Sequence, residues 1–270
     1  MFRAERNSNS TPAQSATVVR NTFEQHSNNY RQMKTIRLIP LLLLFPLFCY
    51  CQTKEELFEA GKGDLEKGWL ITAVDYFSDA IKLDTNFANA YYYRGLTYIK
   101  GAMSDCYEPA VKDFYKCINL QPDSNFWQAY YYIAKQKLFP DTSALKYYDK
   151  AIKFNPTNYL IFQNRGFLRQ WNRMYDLALS DYDKAIELNT NDAHTYDLKA
   201  STQIQIKDYS VALITIDKAI ELNPKYAKLY GDRSYILCRL NEIKAAKKNI
   251  KKAKVKTGEI IHCDCCETKK

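Results

Sequence analysis

The residues with the clearest chemical potential lie near the carboxyl terminus, where His262 is followed by Cys263, Cys265 and Cys266. Imidazole and thiolate groups are ligands of zinc and of Cu(I). A structural zinc site brings together two separated pairs of ligands, whereas these four residues are almost consecutive. The alternatives are a frayed tail and a disulfide formed in an oxidising compartment. We predict no metal site and no cofactor.

Catalytic chemistry finds little support elsewhere. The chain has 3 histidines, and none is spaced with serine, cysteine or aspartate as nucleophilic catalysis requires. Gly61 and Gly63 flank Lys62 without the rest of a phosphate-binding loop. Asp181 and Asp183 form a carboxylate pair, but the helical pattern places both on a solvent-facing side. We therefore predict a protein that is not an enzyme.

Most of the chain follows a sequence motif that recurs about every 34 residues. Five segments close alike, as AIKLDTN, CINLQPD, AIKFNPT, AIELNTN and AIELNPK. A period of this length is typical of a solenoid, in which each unit buries its apolar face against its neighbours. Large apolar residues recur at helical spacing, and long alternation of period two is absent. The pattern predicts an all-α fold of about twelve short helices.

The unit resembles the tetratricopeptide repeat, a helix–turn–helix with a small residue in the first helix and alanine and an aromatic residue in the second. The small residues are Gly61, Gly95, Ala134, Gly166, Ala200 and Ser234. The large apolar residues of the second helices are Phe77, Phe114, Tyr148, Tyr182, Ile216 and Ile250. Asp208 and Asn241 fall at the turn between the two helices of a repeat. The resemblance covers roughly three-quarters of the chain and implies a right-handed α-solenoid of about six repeats.

A repeat protein of this family is expected to bind partners rather than to catalyse a reaction. In the family, the first helix of each repeat lines a concave surface. The corresponding residues here are Tyr92, Leu96, Ile99, Tyr131, Lys135, Phe167, Trp171, Asp197, Ser201 and Tyr235. Apart from Ile99 and Asp197, we predict that they contact a peptide or protein partner, with the aromatic residues as anchors. The alternative is that curvature of the array buries these aromatic residues against neighbouring helices.

The positive charge of the chain is unevenly distributed. The formal net charge is +9, which would suit a nucleic-acid partner. Residues 52–238, however, hold 23 Lys and Arg against 24 Asp and Glu, a net charge of −1. The excess lies near both ends, including the lysine-rich segment KKNIKKAKVK. We predict no nucleic-acid partner. The lysine-rich segment is either the polar outer face of a terminal repeat or a peripheral contact with an anionic envelope surface.

The amino-terminal region contains a second start at Met33. Lys34 and Arg37 precede an apolar run over residues 38–48, and Gln52 follows a short Cys-Tyr-Cys segment. This arrangement has the form of a secretory signal peptide, and the run is too short to span a membrane. The predicted domains are a disordered leader or gene-model extension (1–32), a signal peptide (33–51), the repeat array (52–256) and a Cys-rich flexible tail (257–270).

These predictions combine into a non-catalytic interaction module or assembly scaffold, exported to the bacterial cell envelope as a secreted or periplasmic protein. Its partner would occupy the concave face. Lipid attachment at Cys49 or Cys51 is disfavoured because a bulky residue precedes each cysteine. Two alternatives remain open: a cytosolic adaptor or regulator, if the apolar run is not a working signal, and a metal- or redox-active accessory protein that uses the Cys tail.

Overall fold

The computed structural model describes residues 52–101, 107–137 and 141–258, with the backbone alone for residues 256 and 257. The predicted leader, the predicted signal peptide and residues 259–270 of the predicted tail lie outside the described residues. The described part of the chain contains twelve α-helices and no strand. Neighbouring helices within each compact part of the chain pack against each other in pairs, so the predicted all-α repeat fold is confirmed.

The described residues divide into two compact units, the first ending at Ser124 and the second beginning at Asn125. The helices of the first unit are α1 (Lys54–Glu66), α2 (Leu70–Leu83), α3 (Ala88–Lys100) and α4 (Tyr107–Leu120). Those of the second unit are α5 (Trp127–Gln136), α6 (Leu145–Phe154), α7 (Tyr159–Trp171), α8 (Tyr175–Leu188), α9 (Ala193–Gln205), α10 (Tyr209–Leu222), α11 (Ala227–Arg239) and α12 (Ile243–Thr257). Within each unit, the second helix of a repeat packs on its own first helix and on the first helix of the next repeat.

The small residue of the first helix allows the ring of the second helix to approach its backbone. A Cβ atom on Gly61 would lie 2.7 Å from the Phe77 ring, and one on Gly166 would lie 2.9 Å from the Tyr182 ring. Both distances are below van der Waals contact. The sequence prediction that these positions must stay small is therefore confirmed.

The turn between the two helices of a repeat has the same backbone form in four repeats. Gly68, Arg173, Lys207 and Asn241 occupy the equivalent position, with φ of 80°, 60°, 64° and 63°. This left-handed conformation costs a residue other than glycine roughly 1 kcal/mol. Because the flanking helices are packed against each other, the position keeps this conformation even where arginine or lysine occupies it.

An arginine in the first helix of three repeats joins two neighbouring second helices. In each case its guanidinium reaches a residue sixteen positions earlier, on the second helix of the preceding repeat, and another on its own second helix. The contacts are Arg94 with Ser78 and Asp113, Arg165 with Asp149 and Asp181, and Arg233 with Asp217 and Asn249. These three arginines and their partners, which we call the arginine ladder, therefore fix the spacing of repeats as well as the pairing within each repeat.

The ladder corrects one sequence prediction. Asp181 does not face solvent, because its side chain is 3% exposed and accepts hydrogen bonds from Arg165 and Arg169. Asp183, two residues further on, is 60% exposed, as predicted. The two carboxylates lie about 200° apart around the helix, and Asp181 falls on the buried side with Ala178, Tyr182 and Ala185. Its arginine partners make a buried aspartate acceptable there.

Candidate partner-binding face of the second unit

The first helices of neighbouring repeats lie side by side in the second unit. Polar side chains connect them before any partner binds. The connecting hydrogen bonds run from Asn164 to Tyr131 (3.2 Å), from Gln163 to Thr195 (2.6 Å), from Gln170 to Ser201 (3.3 Å) and from Lys228 to Asp197 (2.7 Å). A surface held in this way loses little conformational freedom on binding, which favours affinity.

One apolar stripe on this surface remains accessible. Leu160, Asn164, Phe167 and Trp171 follow one another at intervals of three or four residues along α7, so they share one side of the helix; we call them the α7 stripe. Leu160 is 37% exposed and Trp171 is 59% exposed. The Phe167 ring supports Trp171, with 6.2 Å between the two ring centroids. The stripe presents an aromatic pair beside an aliphatic side chain.

A second aromatic group lies in the last two repeats. The Tyr235 ring is 6.4 Å from the Tyr209 ring, and Tyr235 is 46% exposed. Arg239 lies over Tyr209, with its guanidinium carbon 5.5 Å from the ring centroid, and donates a hydrogen bond to the Tyr209 hydroxyl at 3.1 Å. The sequence prediction included Tyr235 but missed Tyr209 and Arg239, which come from a second helix and from the end of a first helix. The register of a single repeat does not place them here, because their contact joins two different repeats.

Charge on this face is concentrated in one cluster. Lys228 donates hydrogen bonds to Asp197 and to Asp232, at 2.7 Å in each case. Burial raises the pKa of Asp232, and the hydrogen bond from Lys228 lowers it by less. Burial opposes the charged form of Lys228, but hydrogen bonds to both carboxylates outweigh burial and raise its pKa. One ammonium group therefore serves two carboxylates, and the cluster is net acidic.

Two predicted partner-contact residues are largely withdrawn from solvent. Tyr92 is 7% exposed and lies against Tyr93 and Phe114 in the first unit. Tyr131 is 8% exposed, and burial raises its pKa to about 12. Both occupy the position of the first helix that faces its neighbour, and a large ring there is covered by packing. In these two cases the alternative of burial against neighbouring helices is the one observed.

The other predicted residues have varied surroundings. Lys135 is exposed and lies over the Tyr131 ring. Ser201 is partly buried and accepts the hydrogen bond from Gln170. Leu96 is partly buried on α3 in the first unit. The structure thus brings Phe167 and Trp171 together as an accessible pair, and partner contact at all of these positions remains a prediction.

The described ranges hold neither a metal-ligating cluster nor a membrane-spanning helix. They contain no group of three or more His, Cys, Asp or Glu arranged to hold a metal ion. Among the helices the structure describes, none is long and apolar enough to cross a membrane. His262, Cys263, Cys265 and Cys266 lie outside the described residues. Cys238 on α11 is disulfide-bonded, whereas Cys117 on α4 is free and buried.

Comparisons with known proteins agree with this architecture. A family model described as tetratricopeptide repeat matches residues 193–226, which are α9, α10 and the following turn. No curated protein matches the sequence. Among solved structures, YrrB is described as a tetratricopeptide-repeat protein with an unusual peptide-binding site. It is 22% identical, with a TM-score of 0.56 over 64% of this chain and 88% of its own.

Two further solved structures cover more of this chain. PilW, described as a type IV pilus biogenesis factor, is 16% identical, with a TM-score of 0.57 over 80% of this chain and 97% of its own. A tetratricopeptide-repeat protein from Parabacteroides merdae is 18% identical, with a TM-score of 0.56 over 76% of this chain and 80% of its own. At these identities the similarity establishes the fold.

Proposed function

We propose that this tetratricopeptide-repeat protein is a non-catalytic binding module or assembly scaffold that holds a peptide or protein segment on the first-helix face of its second unit. The observation that carries the proposal is the α7 stripe, where Trp171 is 59% exposed beside the supporting ring of Phe167. Tryptophan is enriched among the residues that dominate binding energy at protein interfaces. An exposed tryptophan on a rigid helix is suited to that role.

The neighbouring groups support the same role. The Tyr209–Tyr235–Arg239 group offers aromatic surface with a hydrogen-bonding cation, and the Asp197–Lys228–Asp232 cluster offers carboxylates. Aromatic anchors with a few polar contacts are the usual composition of peptide-binding surfaces. YrrB is described as having a peptide-binding site; its similarity in fold makes a peptide or protein ligand a reasonable proposal for this chain.

Site-specific photocrosslinking in the native cell tests the binding face. A photoreactive amino acid replaces Trp171 in one variant and Trp69 in a control, because both tryptophans are 59% exposed and Trp69 lies outside the first-helix face. Crosslinks of a defined partner from position 171 but not from position 69 would support the proposal. Equal crosslinking at the two positions would place the binding surface elsewhere.

Export to the cell envelope is part of the proposal. It is supported by the signal-like residues 33–51, which lie outside the described residues, and by the disulfide at Cys238, because disulfides persist mainly in oxidising compartments. Amino-terminal sequencing of the native protein should find a chain that begins at Gln52. A chain that retains Met1 or Met33 in the cytosolic fraction would replace export with the cytosolic adaptor alternative.

We also propose that the protein does not catalyse a reaction. In the described part of the chain, two of the buried carboxylates, Asp113 and Asp181, already bind arginine side chains. Neither is free to act as an acid or base without losing that pair.

A peripheral contact between the lysine-rich helix α12 and an anionic envelope surface completes the proposal.

A further inference from the structure

Helix α12 carries charge of a single sign on its exposed surface. Its six described lysine side chains, Lys244, Lys247, Lys248, Lys251, Lys252 and Lys254, are all exposed, and we call them the α12 lysine face. The helix contains no acidic residue. Within the described part of the chain, none of the six lysines pairs with a carboxylate, whereas lysines of α1, α8, α10 and α11 do.

Solubility alone does not require this arrangement. Helix α1 presents a polar surface with lysines and glutamates together, and its Lys62 pairs with Glu59. In α12, by contrast, lysines stand four residues apart at 244/248, 247/251 and 248/252. Like charges at this spacing destabilise a helix. A chain that keeps three such pairs gains from an anionic partner that offsets the repulsion.

The lysines differ in their surroundings. A cleft of about 570 Å³ lies between α10, α11 and α12, and Lys248 and Lys252 line it together with Asp217 and Glu221 of α10 and Arg233 of α11. Part of the charge of these two lysines is therefore balanced across the cleft. Lys244, Lys247, Lys251 and Lys254 do not line the cleft. The unbalanced charge of the face is therefore concentrated in these four residues.

Lys244, Lys247, Lys251 and Val255 form a nearly straight row. Their spacing of three or four residues keeps them on one side of the helix, and the row is about 16 Å long at 1.5 Å per residue. Val255 is 87% exposed at the end of the row. A straight row on a convex helix matches a flat surface better than it matches a folded peptide. The apolar side of α12, with Ala246 and Ala253, is packed inside the array and cannot insert into a bilayer.

We infer that the α12 lysine face adsorbs to a bilayer rich in acidic phospholipid, with the headgroup phosphates as its ligands. Adsorption is electrostatic, because the apolar side of the helix is already buried. Each lysine near an anionic leaflet contributes about a fivefold gain in affinity. The inference deepens the proposed envelope contact and rests on export only for the identity of the membrane that the protein meets.

Vesicle co-sedimentation with the full chain tests the inference. The measured quantity is the ratio of binding to phosphatidylcholine vesicles with and without 30 mol% phosphatidylglycerol, because the ratio removes any contribution of the apolar residues 38–48. The test variant is K244Q/K247Q/K251Q. The matched control is K116Q/K146Q/K225Q, which removes the same charge at exposed lysines elsewhere in the array.

The wild-type ratio should be well above ten at low salt and fall steeply as salt rises. The test variant should lose on the order of 100-fold in this ratio, whereas the control variant should stay within about threefold. Equal loss in both variants would overturn the inference, because net charge alone would then explain binding. A wild-type ratio near one would also overturn it. So would binding of soluble polyphosphate in the absence of vesicle binding, which would indicate a soluble polyanion instead.

The same variants separate this inference from the proposed function. The test variant should retain partner crosslinking at position 171, and Trp171→Ala should retain binding to anionic vesicles. Loss of both partner binding and vesicle binding in either variant, with an unchanged thermal melt, would mean that one surface binds both the partner and the membrane. The separate assignment of the α12 lysine face would then be wrong.

Discussion

The guanidinium of Arg165 binds both oxygens of the Asp181 carboxylate, with nitrogen–oxygen distances of 3.0 and 2.6 Å. The same guanidinium reaches Asp149 of the preceding repeat at 2.6 Å, and Arg169 donates a further hydrogen bond to Asp181. Two-pronged pairing between arginine and carboxylate is strong and geometrically specific. One buried carboxylate thus organises two arginines and two repeats.

Asp181→Ala should therefore destabilise the protein by about 3 kcal/mol, because it leaves Arg165 and Arg169 partly buried without their shared acceptor. Chemical denaturation followed by circular dichroism measures the loss. Asp183→Ala is the matched control, since its carboxylate is 60% exposed and its removal should cost less than about 1 kcal/mol. Equal losses for the two variants would mean that the arginine ladder does not hold the repeats together.

Two glycines of α1 should respond in opposite directions to alanine. Gly61→Ala places a Cβ 2.7 Å from the Phe77 ring and should destabilise the protein by about 1–3 kcal/mol through overpacking. Gly63→Ala meets nothing within 4 Å and should stabilise it by up to about 1 kcal/mol through helix propensity. Thermal melts of both variants give the signs, and a stable Gly61→Ala protein would show that α1 and α2 can separate without cost.

Truncation of the aromatic pair should weaken partner binding without unfolding the array. Trp171→Ala should reduce affinity for the crosslinked partner roughly 30-fold, as is typical for an anchor tryptophan. Phe167→Ala should have a smaller effect, since its ring supports Trp171. Isothermal titration with the identified partner measures both. Trp69→Ala provides the control, and an unchanged affinity for Trp171→Ala would exclude the α7 stripe as the anchor.

Cys117 should be inert in the folded protein. Its side chain is buried, and burial raises the pKa of the thiol above its ordinary value. The thiolate is the reactive form, so alkylation should remain absent at pH 9, where an exposed cysteine reacts readily. Peptide mapping by mass spectrometry after iodoacetamide treatment, in native buffer and in denaturant, measures labelling at this residue. Labelling of Cys117 in native buffer would show that α4 opens readily.

Much of this fold could be predicted because the same packing requirement, a small residue facing a large side chain, recurs from repeat to repeat. Gly61, Gly95 and Gly166 recur where a ring from the second helix must touch the first, and a Cβ at any of the three would lie closer to that ring than van der Waals contact allows. Asp208 and Asn241 mark turns that the structure places as predicted. A single unit would be ambiguous, but agreement among units identifies the core positions.

The candidate site was harder to predict. Tyr92, Tyr131 and Trp171 all belong to first helices, but the first two are covered by neighbouring side chains and the third is exposed. Helical periodicity assigns a residue to a side of its own helix, whereas exposure depends on the width and tilt of the adjacent helix. Tyr209 and Arg239 were missed for the same reason, because their contact joins two different repeats.

The sequence by itself determined the helical class, the repeat register and the positions that must be small or aromatic, because these follow from interactions within one repeat. Only the tertiary structure decided which polar residues are buried in pairs, as Arg165 with Asp181, and which aromatic residues remain available to a partner, as Trp171. These properties depend on contacts between residues on different helices. The physical reason is that burial and electrostatic pairing are set by distances across packed helices, which spacing along one chain segment does not contain.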